Sequence, residues 1–241
     1  MKRFTFVFIV LIVTFLSGCA SSKKAAILGQ KDSIALVSVI SNRDINWKDE
    51  DSMKPGDVGI FGKRTLNRDP DLAMISNADE LIVKAEQIFR DTVAGFDLIN
   101  LSDKDVVLGS RAYQESKINM YINRDLTKPK EYRFVDSGDR NFPQALFAET
   151  GIRRTMYVEF NFTKAMAYGA GKFVGSLRAN IDMRLLILDD HGKKIFQKKY
   201  SVVDGETTKV ANSSYSESEL MSLLEQAITN ACYDFLEDLG K

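Results

Sequence analysis

Histidine, cysteine and tryptophan are scarce in this chain, and their scarcity limits the chemistry that it can support. The 241 residues include one histidine, His191, one tryptophan, Trp47, and two cysteines, Cys19 and Cys232. A zinc centre needs several histidine or cysteine ligands, and a Ser-His-Asp triad needs a histidine beside its nucleophile. His191 precedes Gly192 in an expected turn, where it would be exposed. We therefore expect no metal, no cofactor and no enzymatic activity.

The chain also has no excess of positive or negative residues. The chain balances 33 basic against 33 acidic residues, so nothing in its composition directs it to nucleic acid. It has only four prolines and an ordinary apolar content, which suit one globular domain with a single core.

Two acidic groups and one glycine-rich stretch could suggest a ligand site, but their spacing does not support one. Neither Asp49 to Asp51 nor the pair Asp103 and Asp105 has the spacing of a calcium-binding loop. The stretch Gly169 to Lys172 lacks the glycine spacing of a phosphate-binding loop, and Phe173 stands where that loop has a hydroxyl. We expect solvated loop charge in the first two cases and a hairpin tip in the third.

The N-terminus has the organisation of an export signal. Lys2 and Arg3 precede an uncharged, largely apolar run from Phe4 to Leu16. The run is too short to span a hydrocarbon core comfortably, because a spanning helix needs about 20 apolar residues. Residues 1–18 are therefore predicted to be a signal peptide.

The sequence Leu16-Ser17-Gly18-Cys19 resembles the lipobox of bacterial lipoproteins. The resemblance implies cleavage after Gly18, transfer of a diacylglycerol to the Cys19 sulfur, and acylation of the new amine, for example by palmitate. Two acyl chains hold a protein stably at a bilayer. Because Ala20 rather than aspartate follows the cysteine, the resemblance implies the outer membrane, with the domain in the periplasm and surface exposure left open.

Behind the lipidation site, the chain divides into a tether and one domain. Residues 19–32 are predicted to be a short tether whose 13 residues after the cysteine reach at most about 45 Å. Residues 33–241 are predicted to form a single α+β domain that contains a long loop, 41–76. Cys232 lies at helical spacing with Ile228 and Phe235, which indicates a small buried side chain rather than a reactive thiol.

The pattern of apolar residues predicts a two-layer sandwich. Ser33 to Ile40 is a compact run rich in β-branched residues without polar alternation, which is typical of a buried strand, and Phe96 to Leu101 is a second candidate strand. Residues 156–163 and 177–187 alternate apolar and polar side chains, and 194–203 returns as an edge strand. Together they predict a mixed sheet with a C-terminal antiparallel meander. Two long helices, starting near Asn77 and Ser216, would cover one face of it.

Short helices are expected between these elements. A helix over 103–113 would be capped by Ser102, and a helix over 143–150 would start with Pro143 and end at Gly151.

Two motifs connect this order of elements to a known group of domains. The stretch "LFAETGI" ends a helix before a strand, and Leu188 to Lys193 has the form Asp-x-x-Gly-Lys at the end of a later strand. The pattern resembles envelope α/β domains of the curli-secretion-channel lipoprotein, the lipoprotein activators of penicillin-binding proteins, and the amino-terminal domain of the Tol translocation protein. The resemblance implies an envelope location and carries over no functional residue.

Three functional hypotheses follow. The first is a non-enzymatic binding or assembly factor of the cell envelope, which acts on an unknown envelope protein through loop 41–76 and the exposed sheet surface. The second is a subunit of an envelope secretion or export assembly, and the third is an envelope hydrolase. Trp47 is the candidate partner contact, since a lone tryptophan in a long loop either folds onto the core or anchors a partner.

Overall fold

The computed structural model describes most of the domain that the sequence predicts. The described residues are 33–48, 76–96, 98–119, 125–169, 174–211 and 214–240. The predicted signal peptide 1–18, the tether 19–32 with Cys19, and residues 49–75 of the predicted loop lie outside them.

In the described part of the chain, nine strands join in one curled mixed sheet. They are β1 (Ile34–Asn42), β2 (Asp44–Trp47), β3 (Ser76–Asn77), β4 (Leu126–Thr127), β5 (Arg154–Gly169), β6 (Val174–Asp189), β7 (Lys194–Val203), β8 (Thr208–Ala211) and β9 (Ser214–Tyr215).

The hairpin of β5 and β6 forms the middle of the sheet. β1 and β2 pair in parallel with successive parts of β5, and β7 and β8 pair antiparallel with successive parts of β6. β7 pairs only with β6 among the described strands, so the edge position predicted from Lys198 and Lys199 is confirmed.

Five helices accompany the sheet in the described residues. They are α1 (Asp79–Ala94), α2 (Lys104–Gly109), α3 (Arg111–Gln114), α4 (Asn141–Thr150) and α5 (Glu217–Gly240). The predicted two-layer architecture with two long helices is confirmed by α1 and α5.

The inner face of the sheet packs on α1 and α5. Phe89 of α1 stacks on Phe235 of α5 at 6.2 Å between ring centroids, and Lys84 pairs with Glu225 at 2.6 Å. The contact that lies further along α1 also lies further along α5, so the two helices run in the same direction. The alternation in β5 and β6 supplies the fully buried inward side chains of Met156, Val158, Phe160, Phe162, Leu177, Ala179, Ile181, Met183, Leu185 and Ile187.

Three local predictions were wrong. Residues 41–47, expected to be irregular, complete β1 and form β2 instead. The described residues of the segment from Phe96 to Leu101 form no strand, and Leu101 makes an isolated bridge with Ile34. The helix expected over 103–113 is two short helices, capped by Asp103 and Ser110 rather than by Ser102.

Candidate functional site

The outer face of the sheet, opposite α1 and α5, carries the polar half of each alternating strand. Its rows run across β5, β6 and β7 and comprise Tyr157, Leu186 and Gln197; Glu159, Arg184 and Lys199; and Asn161, Asp182 and Ser201. Tyr157, at the first row, is only 8% exposed, whereas the Arg184 side chain one row further is 61% exposed. The face therefore passes from a covered end to an open one.

Charges on the open part of this face compensate one another. Lys199 contacts Asp182 at 2.7 Å, and the Ser201 hydroxyl donates to the same carboxylate at 2.6 Å. Partial burial acts to raise the pKa of Asp182, but the hydrogen bonds from Lys199 and Ser201 outweigh it and hold that pKa below its usual value. Arg184 and Glu159 approach only to 3.7 Å and are well exposed, so this pair is free to exchange partners.

A groove lies along the covered end, between the sheet and residues 125–140, which we call the outer segment. Its first section has a volume of about 380 Å³. Ile40, Tyr157 and Leu186 of the sheet and Phe134 of the outer segment give it apolar surface, and Glu159, Arg184 and Gln197 give it polar surface. Concave sites that combine apolar contacts with a few polar groups are typical of binding sites.

The second section of the groove is basic. It has a volume of about 510 Å³ and lies between the start of α4 and the turn that joins β6 to β7. Arg140, Lys193 and Lys194 line it, and none of the described residues in its lining is acidic. Both sections share Ser137, Leu186 and Gln197, so they form one groove, which we call the outer groove.

The ring of Tyr157 lines the outer groove, whereas its hydroxyl is shielded from solvent. Burial raises the pKa of Tyr157, a hydrogen bond with the Thr155 side chain opposes the shift, and the nearby carboxylates of Asp136 and Asp139 add to it. The phenol is therefore neutral at physiological pH.

The β6–β7 turn and α4 hold the basic section in place. Gly192 has a φ of 70°, and a Cβ built there would lie 2.8 Å from the Arg140 Cα. Asp189 accepts hydrogen bonds from the backbone N–H groups of His191 and Lys193. The Asp-x-x-Gly-Lys motif thus specifies a tight turn that packs against the start of α4.

The other motif, in "LFAETGI", is also structural. Both oxygens of the Glu149 carboxylate accept backbone N–H groups, from Arg111 and Ala112, at 2.8 Å each, and thereby cap α3. These bonds lower the pKa of Glu149. Gly151 ends α4 in the left-handed conformation with a φ of 74°.

Trp47 lies at the end of β2, where it is half-buried and packs against the core. Its ring is 5.4 Å from the Nζ of Lys164, a buried lysine of β5 whose Nζ donates to the Tyr215 hydroxyl at 2.8 Å. Burial lowers the pKa of Lys164 to about 8, although the Glu217 carboxylate opposes the shift. The structure places Trp47 far along the sheet from the outer groove, and its role as a partner contact stays a prediction.

A second buried ionic cluster connects α1, α2 and the outer segment. The Glu86 carboxylate, in a residue that is 3% exposed, accepts hydrogen bonds from Arg90 at 2.5 Å, Tyr132 at 2.9 Å and Lys104 at 3.4 Å. Arg90 also donates to the Tyr132 hydroxyl at 2.8 Å. Each of these four side chains has a partner within the set, so we interpret the cluster as structural.

An acidic hollow of about 640 Å³ lies at the other end of the molecule, between the N-termini of α1 and α5. Asp79, Glu80, Glu217 and Glu225 line it together with Lys84. Acidic side chains in the first turn of a helix stabilise it through the helix dipole, and this accounts for most of the cluster.

The remaining candidates from the sequence have structural positions. His191 lies in the β6–β7 turn with a side chain that is 78% exposed. Cys232 is buried in α5, and burial raises its pKa to about 12, so the thiol is inert. Asp103 caps α2 through the N–H groups of Asp105 and Val106, while 49–51 and 170–173 lie outside the described residues.

The described ranges contain no group of three or more histidine, cysteine or acidic side chains placed to hold a metal ion. Across the same ranges, no helix combines the length and apolar character that a membrane span requires.

Comparison with known proteins does not assign a family. No protein-family model matches this chain, and no curated protein matches it. Nine chains of solved structures do match, among them the C-terminal domain of LpoB from Salmonella enterica, at 12% identity, a TM-score of 0.32, and coverage of 75% of this chain and 90% of that one. A likeness of this degree transfers neither a family nor a function.

Sequence reasoning pointed to the exposed sheet surface but not to the outer groove. The alternation in β5 and β6 indicates which side chains face outward. It carries no signal that Arg140, distant in sequence from the strands, packs against Gly192. Gly192 in the turn was the one local indication that another backbone segment packs closely there.

Proposed function

We propose that this chain is a lipid-anchored lipoprotein of the cell envelope that binds an envelope protein through its outer groove, without enzymatic activity. The observation that carries the binding role is the outer groove itself, an elongated hollow with a partly apolar section and a basic one. The lipobox at Cys19 supports the anchor, and the outer membrane is the location that Ala20 implies.

The anchor is tested on the protein isolated from bacterial membranes. We expect the N-terminal peptide to begin at Cys19 and to carry a diacylglycerol with a further acyl chain, as measured by mass spectrometry. Cys19→Ala should leave the signal peptide uncleaved by the lipoprotein pathway. An unmodified cysteine in the mature protein would contradict the proposed anchor.

The groove is tested by site-specific photo-cross-linking in living cells. A photoreactive residue at Gln197, which lines both groove sections, should give one discrete cross-linked protein. The matched position is Tyr233, which is 45% exposed on α5 and lies on the helix layer. Equal labelling from the two positions, or none from Gln197, would argue against a docking role for the outer groove.

The same sample separates a binding factor from a subunit of a secretion or export assembly. A binding factor gives a cross-link to another protein and a monomeric mass in detergent. A closed ring of identical subunits, measured by mass photometry, would instead favour the assembly.

A further inference from the structure

The outer groove has the dimensions of a site for an extended chain. Its two sections meet at Leu186 and Gln197, and it follows β6 from Arg184 to Leu188 before it reaches the turn at Gly192. At about 3.3 Å per residue, the strand portion alone is roughly 13 Å long, which matches about four residues of an extended peptide.

The chemistry along the groove changes from apolar to cationic. Ile40, Tyr157 and Leu186 offer apolar contacts at one end, and Arg140, Lys193 and Lys194 bring three positive charges to the other. A ligand that uses the whole groove therefore needs both apolar side chains and negative charge.

The carboxylates near the basic section are already engaged in the turns that build it. Asp189 accepts two backbone N–H groups of the β6–β7 turn, and Asp139 accepts the N–H of Asn141 and pairs with Lys117 at 3.7 Å. Their negative charges lower the local positive potential, but their contacts leave the ammonium groups of Lys193 and Lys194 available to an incoming carboxylate. Among the described side chains, Lys194 donates only to the neutral amide of Gln197, at 2.7 Å.

We propose that the outer groove binds an extended acidic polypeptide segment of the partner, with apolar side chains on Ile40 and Leu186 and carboxylates at Arg140, Lys193 and Lys194. This inference rests on the proposed function and adds the chemistry of the partner to it. Charge complementarity selects the acidic segment, because the basic section has no acidic residue among its described lining.

The test uses the mature full-length lipoprotein in uncharged detergent micelles. The probe is a blocked, fluorescent twelve-residue peptide that alternates glutamate with valine, and the comparison peptide has glutamine at every glutamate. Fluorescence anisotropy at 50 mM salt should show at least tenfold tighter binding of the glutamate peptide. Inorganic phosphate, as a competitor, should displace it only at millimolar concentration.

A double variant and a matched control locate the site. Lys193→Gln combined with Lys194→Gln should weaken binding of the glutamate peptide at least tenfold, since it removes two of the three cations. Lys209→Gln removes an exposed positive charge on β8, far from the groove, and should change the affinity less than twofold. Circular dichroism checks that each variant is folded.

Three outcomes would overturn the inference. They are equal binding of the two peptides, equal effects of the groove variant and Lys209→Gln, and complete displacement by phosphate at the concentration of the peptide, which would indicate a small-anion site. If Gln197 still cross-links to one protein in any of these cases, the proposed function stands and only the acidic character of the partner is wrong.

Discussion

The glycine at the β6–β7 turn allows a quantitative test of how the basic section is built. Gly192→Ala introduces a methyl group into a left-handed backbone, which costs about 1–2 kcal/mol. That methyl carbon would also lie 2.8 Å from the Arg140 Cα and 3.0 Å from its carbonyl oxygen, and both are backbone atoms that cannot turn aside. Overpacking of this kind adds about 1–3 kcal/mol. We expect a loss of about 2–5 kcal/mol in the free energy of unfolding.

Two other glycines separate the two contributions to this loss. Gly151 has a nearly identical φ of 74°, but a Cβ there meets no atom within 4 Å, so Gly151→Ala should cost only the backbone strain, about 1–2 kcal/mol. Gly109 lies in α2 in ordinary helical conformation with the same open space, and Gly109→Ala should stabilise by about 0.5–1 kcal/mol.

Urea unfolding, followed by circular dichroism, measures all three variants at a common slope. Equal losses for Gly192→Ala and Gly151→Ala would show that the turn does not press on Arg140. That result would refute the close packing on which the shape of the basic section depends.

Three further predictions concern the core. Tyr132→Phe should lower the free energy of unfolding by about 1–3 kcal/mol, because the buried Glu86 carboxylate loses a donor; urea unfolding measures it. Phe235→Ala, at a fully buried position, should cost about 3–5 kcal/mol in thermal or urea unfolding, and Val83→Ala, at a position 49% exposed, should change stability by less than about 0.5 kcal/mol. The pKa of Lys164 is lowered to about 8 in the folded state, so between pH 8 and 10 the unfolded chain binds more protons than the folded one. The free energy of unfolding should therefore rise with pH by up to about 1.4 kcal/mol per pH unit relative to that of Lys164→Met. A difference that does not change with pH would contradict the burial of this amine.

Long periodic patterns were the reliable guide to the fold. The alternation at Met156, Val158 and Phe160 predicted the inward face of β5, because a strand with one buried face requires it. The stripe through Leu224 and Phe235 likewise predicted α5, the longest helix.

Short elements were predicted poorly because tertiary contacts decide them. The segment before Leu101 has strand-like residues, yet it meets β1 at Ile34 alone, where the Asn100 carbonyl accepts the Ile34 N–H and Leu101 forms an isolated bridge. Asn42 pairs with β5 through its side chain, which donates to the Phe162 carbonyl at 2.8 Å and accepts the Phe162 N–H at 2.7 Å. That contact holds residues 41–47 on the sheet, where the local sequence alone suggested a loop.

The candidate site was the least predictable part of the molecule. Its floor follows from the alternation in β6, but its walls come from the outer segment and from the start of α4. No local pattern states which distant segment will pack on a strand. The basic section depends on the tertiary fold, which brings Arg140 and Lys193 into the lining of one hollow.

The parallel pairing of β1 with β5 has a consequence for how the chain folds. Ile34 pairs with Arg154 and Asn42 bonds to Phe162, 120 residues further along the chain. β1 therefore lacks its longest strand partner until residues 154–160 have been made, because closing so long a loop must precede this pairing. During that interval β1 exposes apolar side chains and unpaired backbone groups, which favour aggregation. In a chain that crosses a membrane N-terminus first, β1 must therefore be kept from contacts with other chains until the C-terminal half has crossed.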